Sequence, residues 1–157
     1  MFRRTAAIAV AAVGAAALAL PLHAADFRTT ADAPTVLYDA PSSRARPQFV
    51  FGRDVPLEVL VAVEGWTKVR DVSGTIGWIA NKSLADRRVL QVRVAAADVR
   101  ATPDDAAPVA FRATENVLLE LAEQATSPGT TASPGWVRVK HRDGAVGFVR
   151  VSQIFGL

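Results

Sequence analysis

The side chains in this sequence that could carry chemistry are few. Beyond residue 24 the only histidine is His141, and the chain has no cysteine. A Cys/His centre is therefore excluded, and any Ser/His/Asp arrangement would have to use His141. That histidine stands between Lys140 and Arg142, cationic neighbours that do nothing to make it a base, and its position in a predicted hairpin strand reads as solvent-facing. Among the carboxylates, Asp104-Asp105 follows Pro103, while Asp39, Asp54 and Glu58 are scattered. Turn chemistry accounts for them, whereas a glycosidase needs two carboxyls placed across a cleft. No set of His, Asp or Glu has metal-ligand spacing. The expectation is a chain with no catalytic residue, metal site or cofactor, and so not an enzyme.

What remains is aromatic and cationic. Alternate residues of a strand share a face, so in the run Gly65-Trp66-Thr67-Lys68-Val69-Arg70 the tryptophan lies with Lys68 and Arg70, and Thr67 lies with Val69. The run from Gly135 repeats the arrangement, placing Trp136 with Arg138 and Lys140 and turning Val137 and Val139 the other way. Valine marks the core side, which leaves both tryptophans at a rim with cations beside them.

The elements that must position these residues come as a repeat. Gly65 to Leu84 aligns without a gap on Gly135 to Ile154 at an offset of 70, with Trp66/Trp136, Val69/Val139, Gly74/Gly144 and Gly77/Gly147 identical. Upstream the offset is 62, pairing Leu37 with Val99, Pro41 with Pro103, Phe49 with Phe111 and Leu57 with Leu119. The second copy has thus gained eight residues between Leu121 and Gly135, in the Ser/Thr/Pro/Gly-rich run AEQATSPGTTASP, which has loop composition. A copied block with its own turns and core positions means two similar modules.

Each module reads as short strands. Val55, Leu57, Val59, Val61 and Val63 alternate onto one face; Trp66 to Arg70 turns through Val72-Ser73-Gly74 into Thr75 to Ala80, and the copy turns at Asp143-Gly144. Asn81 to Leu84 reads as a 3₁₀ turn and Val89 to Val94 as the last strand of the first module. Five short strands with no room for a helix predict an all-β fold of two tandem small antiparallel barrels. The strand from Thr75 to Ala80 carries Ile76 and Trp78 on one face and Ile79 on the other, and Val146, Phe148 and Val149 repeat this. Apolar side chains on both faces predict cover on both, with Trp78 and Phe148 joining the modules.

At the amino end, Arg3 and Arg4, the Ala-rich run Ala6 to Leu20 and the small-residue site at Leu22-His23-Ala24 read as a cleaved secretory signal. The apolar run is short for a membrane span. This divides the chain into a signal peptide (1–24), a first module (25–93) and a second (94–157). Without Arg3 and Arg4, the 18 Lys and Arg fall to 16 against 15 acidic residues. A near-neutral chain with no basic run between aromatics lacks the field for nucleic acid. An exported chain without cysteine points to a periplasmic or secreted bacterial context.

The stretch GWTKVRDVSGTIGWIANKSLADRRVLQV resembles the C-terminal half of a bacterial SH3 (Src homology 3-like) domain, and Val36 to Pro41 and Asp98 to Pro103 resemble its opening segment. The resemblance implies SH3-like barrels and a binding module associated with cell-wall peptides or with wall enzymes. It places Trp66 and Trp136 at the family's groove tryptophan, either as platforms for an extended peptide or as covers of the barrel end, with Tyr38 as a second wall. Lys68 and Arg138 flank the two platforms. Where eukaryotic SH3 domains carry an acidic loop, this chain has Ser42-Ser43-Arg44-Ala45-Arg46, so Arg44 and Arg46 either favour an acidic ligand or are solvated. The second copy has Arg100 where the first has Tyr38, and it ends at Leu157, so its last strand is missing or borrowed, from Phe27 to Thr30 or from the segment between the modules. The expected partner is a peptide-like cell-wall ligand; the alternative is a structural adaptor that recruits another envelope protein.

Overall fold

The computed structural model describes residues 25–31, 34–122 and 134–157. The expected signal at 1–24 and most of the inserted loop lie outside the described residues. Each module is one antiparallel sheet of seven strands. The first comprises β1 (Phe27–Thr30), β2 (Thr35–Tyr38), β3 (Pro47–Phe51), β4 (Pro56–Val63), β5 (Trp66–Arg70), β6 (Ile76–Ala80) and β7 (Leu84–Ala85), in the order β3-β2-β6-β5-β4-β1-β7. The second repeats that order with β8 (Val89–Val92), β9 (Ala96–Arg100), β10 (Val109–Thr114), β11 (Leu118–Leu121), β12 (Trp136–Lys140), β13 (Val146–Arg150) and β14 (Ile154–Phe155). A 3₁₀ turn, Asn81–Ser83 or Val151–Gln153, precedes the last short strand of each.

A single sheet of this kind encloses a core by curling, with one face of every strand turned inward. Leu37, Leu57, Val69 and Ile79 are fully buried in the first core. Val99, Leu119, Val139 and Val149 occupy the matching places in the second. Each such side chain contributes about 1.5–3 kcal/mol by leaving water. The tightest point of the frame is where β6 meets β2. A Cβ on Gly77 would lie 2.6 Å from Leu37 Cγ and 2.8 Å from the Tyr38 carbonyl oxygen, and one on Gly147 would lie 2.7 Å from the Arg100 carbonyl oxygen. Glycine is identical in the two copies here because no side chain fits.

Three expectations need correction. Val89 to Val92 does not close the first module. It is β8, which pairs with β11 and β14 and opens the second sheet. Phe27–Thr30 fills the same place in the first, pairing with β4 and β7, so the repeat at offset 62 begins ten residues earlier than Leu37/Val99. Of the two sources considered for the missing strand, the segment between the modules supplies it. The alternation in β4 also fails. A register shift between Val59 and Val61 reverses the inward face, leaving Val61 at 47% and Val63 at 43% exposure; a bulge has this effect because strand side chains alternate with period two.

Trp78 and Phe148 do not join the modules. Their neighbours across the ladders, Lys68 and Tyr38 for Trp78 and Arg138 and Arg100 for Phe148, lie within their own sheets. The modules meet where β4 approaches β8, and the Phe27 and Phe155 rings pack edge to face at 5.1 Å. Gly156, at φ +110°, fits between them, since a Cβ there would lie 2.7 Å from the Val89 carbonyl oxygen and 3.0 Å from Pro56 Cβ.

Candidate functional site

The strand pattern fixes what faces outward on the first module. In β5, Thr67 and Val69 are buried, while Trp66 and Lys68 are half-buried on the opposite face. The ladder then sets Val61, Lys68, Trp78 and Tyr38 side by side across β4, β5, β6 and β2. Trp66 lies one step along, and its ring meets Tyr38 at 5.6 Å and 86°, forming an aromatic corner. The Lys68 ammonium is 5.9 Å from the centre of the Trp78 ring. Arg70, the other cation of the strand, is held in a fork by Glu58 at 2.7–2.8 Å, which leaves Lys68 as the available charge. The apolar surface continues through the cross-strand pair Val36 and Val50, the latter 54% exposed on the edge strand β3.

The structure thus brings Tyr38, Trp66 and Lys68 together, and adds Trp78. The sequence signal for Trp78 was the hairpin register, which sets it opposite Lys68 on the outer face. Arg44 and Arg46 lie on the loop between β2 and β3. Asp39 Oδ1 accepts the Arg46 backbone N–H at 3.1 Å and its carboxylate is 3.5 Å from Arg46 Nε, so the loop is tied to itself. Among the described residues neither guanidinium touches the aromatic corner.

The second module presents the same strands with different chemistry. Arg150 takes the position of Ala80, and its guanidinium lies 4.3 Å over the Trp136 ring while pairing with Asp105. Arg100 takes the position of Tyr38 and donates to the Ala107 carbonyl at 2.7 Å. Asp98 and Arg112 replace Val36 and Val50 and pair at 2.7 Å. The hydrogen bond from Arg112, together with the charges of Arg112 and Arg100, holds the Asp98 carboxyl below its ordinary range. Arg138 is exposed next to Phe148. Here the ring that stands open in the first module is covered by a cation of its own chain.

His141 lies just beyond β12, in the turn, rather than on a solvent-facing strand. It is half-buried, its ring 5.9 Å from Phe111, and its Nδ1 is 3.0 Å from Asp143. Asp143 accepts the Ala145 backbone N–H at 2.9 Å; that bond first, and the one from His141 second, keep its carboxyl below the ordinary range. The histidine braces a hairpin. Among the described residues no group of three or more His, Asp or Glu could hold a metal ion, and no helix is long and apolar enough to cross a membrane.

Comparison with known proteins agrees with this architecture. The bacterial SH3 domain family matches the chain twice, over residues 31–86 and 93–156. The chain belongs to that family, as two tandem copies. No curated protein matches it in sequence. Similar solved structures include NlpC1 from Trichomonas vaginalis, at 16% identity and TM-score 0.37, covering 87% of this chain and 47% of that one. NlpC2 from the same organism follows at 17% and 0.35, covering 82% and 46%. An NlpC/P60 family protein from Bacillus cereus has 13% and 0.35, covering 83% and 56%. The chain spans about half the length of these solved proteins.

Proposed function

We propose that this protein is an exported, non-enzymatic tandem SH3-like binding module whose first domain holds a peptide-like ligand of the bacterial envelope, cell-wall peptide foremost. The observation that carries the reading is the outer face of the first module, where Tyr38 and Trp66 form a corner beside Trp78 and Lys68. Rings held by backbone pairing give an extended chain contact area at little entropic cost, and Lys68 supplies a charge for a peptide carboxylate. A contiguous apolar face of this kind on a small module is a mark of an interaction surface. Export rests on the signal pattern at 1–24.

The test is retention of the mature protein on purified insoluble peptidoglycan. Trp66→Ala and Tyr38→Ala should each lower retention about tenfold, equivalent to about 1.4 kcal/mol. Retention that ignores both substitutions would overturn the proposal. One observation favours the adaptor reading: β3 is the edge of its sheet, and Pro47, Gln48, Phe49 and Val50 on it are all exposed. An open edge is a template for another strand. That reading expects capture of an envelope protein that is lost with Val50→Lys and kept with Trp66→Ala.

A further inference from the structure

A second surface, on neither outer face, lies between the modules. It is a cleft of ≈ 790 Å³. Its two sides come from matched corners of the repeat. Asp54 and Asn116, the non-glycine residues with positive φ at 64° and 67°, are copies at offset 62, and both line it. Such a corner suits Asp or Asn, whose short polar side chains tolerate the left-handed conformation.

The charge in this cleft is out of balance. Arg53, Arg87, Arg88 and Arg142 line it, against the carboxylates of Asp54 and Glu120. Asp54 is shared by two of these arginines: it pairs with Arg87 and lies 3.5 Å from Arg53 Nε. In the second copy the matching residue is Asn116, whose Oδ1 accepts from Gln91 Nε2 at 2.9 Å, so that corner brings no second carboxylate. Glu120 stands opposite Lys140 across the β11–β12 ladder. Arg88 and Arg142 are exposed and have no carboxylate partner among the described residues. Residues 25–157 carry 16 Lys and Arg against 15 acidic groups, so the surplus in this one cleft exceeds that of the whole stretch.

The position of Arg88 is fixed by the fold. Its carbonyl accepts the Leu121 N–H at 3.1 Å, which ties the connection between the modules to β11. Val89 and Val117 supply apolar wall beside it, and low-dielectric walls focus the field of nearby charges. Guanidinium groups are planar forks suited to bidentate contact with carboxylate or phosphate.

We infer that this inter-module cleft binds a compact multivalent oxyanion, with Arg88 and Arg142 as the principal donors. It is a site separate from the aromatic face of the first module, and it draws on both modules, because Arg53, Asp54 and Arg87 come from the first while Arg88, leading into β8, and Arg142 come with the second.

Titration of the full two-module chain with pyrophosphate and, in parallel, citrate, followed through backbone amide shifts, tests this. Saturable shifts are expected at Val89, Asn116, Leu118 and Arg142. The double variant Arg88→Gln/Arg142→Gln should weaken binding about tenfold or more, as loss of charge-assisted bonds implies. The Arg88→Lys/Arg142→Lys variant should recover part of it, because charge persists while the fork is lost. Trp66→Ala should leave the titration unchanged, which separates this site from the peptide reading. Tighter binding of pyrophosphate assigns a phosphate ligand, and tighter binding of citrate a carboxylate one. Shifts that fail to saturate, that centre on Arg150 instead, or that survive the double glutamine variant with its thermal midpoint intact would overturn the inference.

Discussion

Where the first module carries Val36, Tyr38, Val50 and Ala80, the second carries Asp98, Arg100, Arg112 and Arg150 at matching places of the repeat. All eight positions lie outside the cores, and none alters the strand order. The frame is set by the inward residues and by the close approach at Gly77 and Gly147, so the outer face is free to differ. In the first module that face is aromatic and apolar; in the second it is closed by internal pairs, Asp98 with Arg112, Asp105 with Arg150, and Arg150 over Trp136. Exposed pairs of this kind add little to stability, because water screens them. Their consequence is for recognition: a covered ring and a charged edge strand reject what an open ring and an apolar edge admit.

The largest effects should fall where the modules agree. Gly77→Ala and Gly147→Ala each force a methyl group against a backbone carbonyl, and each should cost about 1–3 kcal/mol, read as a lowered calorimetric midpoint. A loss confined to one variant would break the claim of a shared frame. Next come exchanges across the differing face. Ala80→Arg places in the first module the cation that covers Trp136, and should reduce peptidoglycan retention about tenfold; Arg150→Ala, which uncovers Trp136, should leave retention within about twofold because Arg100 still stands where Tyr38 does.

A smaller effect concerns the junction. A double-mutant cycle on Phe27→Leu and Phe155→Leu, followed by thermal unfolding, should give a coupling of about 0.5–1.5 kcal/mol for the ring pair. Zero coupling would mean that the two sheets fold without reference to each other. The smallest is electrostatic. The Asp98 carboxyl, held down by Arg112, should titrate by NMR below the ordinary carboxylate value of about 3.9. Its contribution to stability is complete above that value and lost as pH falls through the lower folded midpoint. Arg112→Ala should move the midpoint upward. The first module, with Val36 and Val50 in these places, has no such titration.

Much of this was legible from particular residues. Trp66, Thr67, Lys68 and Val69 alternate as the period of a strand requires, and their faces could be assigned before any contact was known. The hairpins followed from the Gly-containing turns, and the repeat at offset 70 identified the strands both copies keep. The strand Val89–Val92 has no local mark of which sheet it joins, because a short apolar strand between two modules reads the same for either. Ladder partners decide that, and they are remote in sequence. The bulge in β4 was hidden for a related reason, since alternating valines read the same with or without a shifted partner. From sequence Trp78 reads as a junction residue, because an apolar outer face looks alike whether a module or a ligand covers it.

The sequence by itself determined two copies of one all-β module, the inward and outward faces of β5 and β12, and the exchange of Tyr38 for Arg100. These follow from strand periodicity and from alignment of the chain with itself, which are local properties. The tertiary structure alone decided that Tyr38 meets Trp66, that Arg150 covers Trp136, that β8 belongs to the second sheet, and that four arginines share one cleft. Each depends on which strands lie side by side and how two sheets dock. Hydrogen bonds and contacts between residues far apart in the chain fix those choices.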